Sequence, residues 1–156
     1  MGFQIHSLPA EQFADLFTLT DAELEARQAC RQIVTSKPGT PCRVSMQDAE
    51  VGETVILLNY AHQPHNSPYR ASHAIFVRQN ATNARIRANE VPDVIRSRII
   101  SVRCFDQYHM MIDADVVRGA EVADKLNEVF EQKNVAYVHL HNAKPGCFAA
   151  SVHRAD

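Results

Sequence analysis

The stretch Val135-Ala136-Tyr137-Val138-His139-Leu140-His141-Asn142 decides how this chain is read. Its side chains alternate in character, and a β-strand repeats its faces every two residues. Ala136, Val138 and Leu140 therefore share one face, and Tyr137, His139 and His141 share the other. The apolar face has a partner directly upstream. Val116 or Gly119 through Lys133 reads as a helix, because Val122, Leu126, Val129 and Phe130 are spaced to form one apolar stripe. Asn134 stands where a left-handed residue commonly ends a helix. The opposite face of the strand presents two imidazoles about 7 Å apart, the two-residue repeat of extended chain.

Further strands lie on both sides of this unit. Cys147 to His153 follows after the turn at Lys144-Pro145-Gly146. Arg98 to Phe105 and Tyr108 to Asp113 read as a hairpin across Asp106-Gln107. With the helix after it, the Tyr108 strand and the Val135 strand would form a βαβ unit, which makes those two strands parallel. Glu53 to Tyr60 is apolar on both faces and reads as a covered central strand, with His73 to Arg78 as the next one. Ala61 to Tyr69 reads as a polar loop. Near the N-terminus, Phe3 to Leu8 reads as a strand, and Ala10 to Phe17 as a short helix after Pro9. Thr20 and Glu23 form a capping-box pair that opens a helix at Asp21, ending near Arg27 or near Val34. A short helical turn starts at Pro92. The expected fold is α+β: one domain over residues 1–156, with a mixed, largely antiparallel sheet of about five to seven strands and two or three helices packed on it.

Composition excludes several classes of function. A net charge of −2 provides no general attraction to nucleic acid or anionic lipid. The arginines between Arg78 and Arg103 have no aromatic side chains interleaved to stack bases, and they read as a solvated surface. No apolar run approaches the ~18 residues of a membrane span, and Met1 to Leu8 lacks the pattern of a signal peptide, so the expected location is cytoplasmic. With five glycines and no Gly-rich phosphate loop, nucleotide folds of that kind are not expected. The four cysteines have no zinc-finger spacing and are expected to be reduced.

Three islands carry the chemistry. Pro41-Cys42-Arg43 sets a thiol beside a guanidinium, and a neighbouring cation favours the nucleophilic thiolate. Ser67-Pro68-Tyr69-Arg70, followed by His73, is a stiffened loop at a strand's mouth, where Arg70 and the Tyr69 hydroxyl can hold an anion. The third island runs from Tyr137 to Cys147. Cys42, His73, His139, His141 and Cys147 are the candidate catalytic groups; Arg43, Tyr69, Arg70 and Tyr137 are the candidate ligand-binding groups. Cys104, inside an apolar run, reads as a buried small hydrophobe.

The segments Pro38 to Arg43, Asp48-Ala49 with Gly52-Glu53, Ser67 to Arg70 leading into Ala74 to Val77, and His141-Asn142 with Pro145 to Cys147 together resemble a bacterial family, domain-of-unknown-function family 1203. The resemblance implies a small soluble bacterial domain and carries no activity, cofactor or catalytic residue with it.

The leading expectation is a pocket that binds, or also converts, a small anionic metabolite, with Arg43 and Arg70 on the anion. A non-catalytic interaction module is one alternative. A transition-metal site on His139 and His141 is another, with a third ligand from His73, Cys147 or Asp113. No cofactor and no oligomeric state follows from the sequence.

Overall fold

The computed structural model describes residues 2–156. Among the described residues, eight strands fall into two antiparallel sheets. In chain order they are β1 (Gly2–His6), β2 (Ala29–Ile33), β3 (Thr54–Gln63), β4 (Ala71–Arg78), β5 (Ile99–Phe105), β6 (Met111–Arg118), β7 (Tyr137–Asn142) and β8 (Phe148–Ala155). The larger sheet has the order β1-β8-β7-β5-β6, and the smaller one β2-β3-β4. Three α-helices accompany them: α1 (Asp21–Ala26), α2 (Asp93–Arg96) and α3 (Val122–Phe130). The architecture is α+β, as the sequence patterning indicates.

β5 pairs antiparallel with both β6 and β7, so β6 and β7 run parallel with β5 between them. The connection through α3 therefore crosses over β5 rather than joining neighbours. Val102 and Leu140 face each other across the β5–β7 ladder, and Leu126, Val129 and Phe130 of α3 join them in the main core. Phe3 and Ile5 of β1 complete that core at the sheet's edge.

Several sequence expectations change at element ends. Residues 116–118 belong to β6, not to a helix, because Ile99 to Ser101 of β5 pair with them. A 3-10 turn at Gly119–Glu121 then leads into α3. The β5–β6 turn is longer than Asp106-Gln107: it reaches Met110, with His109 left-handed at φ 64 and Asp106 Oδ1 accepting from the Tyr108 and Met110 amides. Ala10 to Phe17 forms two 3-10 turns rather than an α-helix. α1 has the full capping box on Thr20 and Glu23 and stops at Ala26, and the chain reverses through left-handed Gln28 into β2.

β3 runs three residues beyond Tyr60, so Ala61 to Gln63 is strand rather than loop, with a register shift against β4 between Tyr60 and Gln63. A second shift lies on β8: Leu140 faces Ala150, but His141 faces Phe148. The extra residue, Ala149, puts the Phe148 ring on the histidine face of β7. Against β5, β7 keeps its alternation throughout.

Candidate functional site

Two adjoining places collect the chemically capable side chains. The first is a cleft of about 1040 Å³ with walls from both sheets and from the β7–β8 turn. Leu57, Phe76 and Ile99 make its apolar surface, while Arg43, His73, Lys144 and Cys147 bring polar groups to it. Gly146 closes the turn at φ +83, a conformation that L side chains rarely adopt, and its Cα faces the His73 ring. A hollow of similar size, about 1090 Å³, runs along Ser45–Gln47 and the segment from Thr82 to Arg96, and holds none of the candidate residues.

Arg43 is the centre of the cleft floor. It is 2% exposed. Its backbone amide donates to Phe76 O of β4, and its guanidinium donates to Phe148 O of β8, to Pro41 O and to Cys147 Sγ at 3.0 Å. One residue thus ties the small sheet to the large one. Burial pushes its pKa down, and the Cys147 sulfur opposes that. At the rim, Arg98 pairs with Asp48 at 2.7 Å, Arg118 with Glu121 and Arg96 with Asp93. Among the described residues, Arg43 and Lys144 have no such carboxylate partner.

The second place is the histidine face of β7. It is buried: His139 and His141 are 6% and 1% exposed. The end of β3 closes over it. His62 meets His141 at 4.8 Å between ring centroids, and the Phe148 ring stacks on His62 at 5.6 Å. Phe105 and Tyr137 continue the aromatic wall beside His139. Burial is the main cause that lowers all three imidazoles, His62 to about 4 and His139 and His141 to about 3, with Arg103 adding to each. They are therefore neutral at physiological pH. The Tyr137 hydroxyl accepts from Gln63 Nε2 and shares a 2.7 Å hydrogen bond with His109 Nδ1. Burial raises its pKa, so the phenol stays protonated.

The fold brings the sequence candidates together only in part. Arg43, His73 and Cys147 share the cleft. Tyr137, His139 and His141 share the aromatic–histidine face. Cys42 belongs to neither: it is buried with Phe13, Val44, Ile75 and Val77, and its sulfur accepts from the Arg78 amide. Tyr69 packs edge-on against Phe105, and Arg70 is exposed and outside the cleft wall. Neither Asp48 nor Glu53 serves Arg70, since they pair with Arg98 and Arg78. The third imidazole beside His139 and His141 is His62, rather than His73, Cys147 or Asp113. His62 was legible only as the next period-two position after Tyr60, a signal hidden by the prolines that follow it. Arg98 and Lys144 carry no local pattern that marks them.

A family model described as a protein of unknown function, DUF1203, matches residues 39–154. The chain belongs to the DUF1203 family. The matched segment contains every side chain of the cleft and of the histidine face named above, and leaves β1, α1 and β2 outside it. No curated protein and no solved structure matches the DUF1203 chain. Among its described residues, no helix is long and apolar enough to cross a membrane.

Proposed function

We propose that this DUF1203 protein binds a small anionic molecule with an apolar portion in the cleft between the two sheets. The observation that carries this reading is Arg43: a buried guanidinium whose partners are two carbonyls and a thiol sulfur, with no carboxylate. A buried cation without a counter-charge is costly. An anion entering the cleft supplies that charge, and Leu57, Phe76 and Ile99 receive its apolar part. Lys144, exposed at the mouth, adds attraction during approach. His73 and Cys147 are then the groups placed to exchange a proton or to act as a nucleophile on the bound molecule.

The test is a thermal-shift series with short- and medium-chain carboxylates, the matching alcohols, and phosphate. A ligand that prefers the folded state raises its stability. Carboxylates with an apolar tail should raise the melting temperature, the alcohols should not, and Lys144→Glu should reduce the shift while leaving the unliganded melting temperature within ~2 °C. Equal shifts for acids and alcohols, or none at millimolar concentration, would overturn the proposal.

A further inference from the structure

We propose that His62, His139 and His141 form a binding site for one divalent transition-metal ion of the zinc, cobalt or nickel type. Each offers a ring nitrogen, and these atoms all lie within 4.8 Å of one another. Tetrahedral nitrogen ligands bonded at about 2.0–2.1 Å sit roughly 3.4 Å apart, so ring rotations of about an ångström close the set. The three come from two sheets. His139 and His141 are two positions apart on β7, held on one face by its unbroken ladder with β5. His62 arrives from the end of β3, within the register shift between Tyr60 and Gln63.

The surroundings are those of a ligand set rather than of ordinary packing. His141 Nδ1 lies 2.9 Å from Gly146 O. Donating there fixes the tautomer and leaves Nε2 with a free lone pair, the usual support for a metal-bound histidine. His62 Nδ1 and His139 Nδ1 are buried with no hydrogen-bond partner. Such orphans are uncommon in a folded protein and ask for an explanation. Phe148 stands edge-on to His139 and His141 and stacks on His62, which limits the rings' freedom and keeps water away.

The donor set chooses the ion. Three imidazoles with no carboxylate suit zinc, cobalt, nickel or copper and not calcium or magnesium. Three protein ligands leave a fourth position open. Arg103 lies opposite His139 on β5, on the same face of the sheet. Its charge favours an anion, such as hydroxide or a carboxylate, as the fourth ligand.

The experiment uses the full chain without a histidine tag, stripped with chelator and titrated with Co²⁺. Binding is followed by equilibrium dialysis and by the ligand-field absorption of tetrahedral cobalt. One ion per chain with a tetrahedral spectrum is expected. His62→Ala should weaken binding at least tenfold, and His139→Phe, which fills its space without a lone pair, should abolish it. His65→Ala, at an exposed ring stacked on half-buried His109 at 3.5 Å, should leave metal binding unchanged and serves as the control. Circular dichroism verifies that each variant is folded. If His62→Ala fails to fold, His62→Gln replaces it. Absence of stoichiometric binding in the folded wild type would overturn the proposal, as would binding that survives His139→Phe or depends on His65. Neither result bears on the anion cleft, which shares no ligand with this site.

Discussion

At the scale of single residues, Arg43 holds the most interactions. Its guanidinium fork satisfies three buried acceptors at once, two of them main-chain carbonyls. Arg43→Ala should therefore cost roughly 3 kcal/mol or more by urea denaturation. Arg43→Lys should recover only part of this, since one ammonium on a flexible stem cannot reproduce the planar fork. The cysteines separate by environment. Cys147 lies at the cleft floor beside Arg43 and below Lys144, whereas Cys30 is exposed. A cationic cleft concentrates anions. The rate ratio of iodoacetate to iodoacetamide, read by peptide mass spectrometry, should be higher at Cys147 than at Cys30, and Lys144→Glu should lower it. Equal ratios would mean that the cleft has no effective positive potential. Cys104 is different again: burial, with Asp113 nearby, pushes its thiol up to about 11. Its folded value lies above its ordinary 9.0, so the neutral thiol contributes stability that is complete below pH 9 and lost as pH rises towards 11. Cys104→Val should flatten the alkaline decline in melting temperature.

At the scale of elements, caps and close approaches set the limits. The Thr20–Glu23 capping box is complete, so Thr20→Ala should cost about 1 kcal/mol, measurable in a denaturant titration. A Cβ on Gly119 would lie 2.2 Å from Ile95 O and 2.4 Å from Arg96 O, both main-chain atoms at the end of α2. Gly119→Ala must push the turn before α3 away from α2, and it should destabilise far more than Thr20→Ala does. The capping box was readable because its partners are three residues apart. The strand β2 was not: Ala29 to Ile33 has no clean alternation, and its identity comes from pairing with Thr54 to Leu58 of β3. The same is true of residues 116–118, whose branched residues suit a strand but which directly precede the α3 stripe and could extend its helix. The ladder to β5 decided between them.

At the scale of the whole molecule, two sheets of unequal protection meet over the histidine face. β5 and β7 are interior strands of the larger sheet, with the main core on one side. β2 is an edge strand of the smaller sheet and is largely exposed. Native-state hydrogen exchange should find the slowest amides in β5 and β7 and early opening of β2. Slow exchange in β2 equal to that in β7 would mean that the two sheets open as one unit. Arg43 and Phe148 span the junction, so ligands that order the cleft should slow exchange in β4 and β8 together.

The sequence by itself determined what depends on neighbours a few positions away: the two-faced strand β7, the apolar stripe of α3, the cap of α1, and the turn that separates His141 from Cys147. These follow from the periods of strand and helix, which any short window displays. It also determined family membership, through short motifs spread from Pro38 to Cys147. Only the tertiary structure decided which of those motifs meet. His62 joins His139 and His141 because β3 continues past a register shift and its end closes over the other sheet. Arg43 is buried while Arg70 is exposed because Pro41 to Arg43 is clamped between β4 and β8, while the loop bearing Arg70 stays outside the cleft. Cys42 turns into a core and its distant counterpart Cys147 into the cleft. Contacts between residues this far apart in sequence depend on how two sheets pack, and no local pattern encodes that.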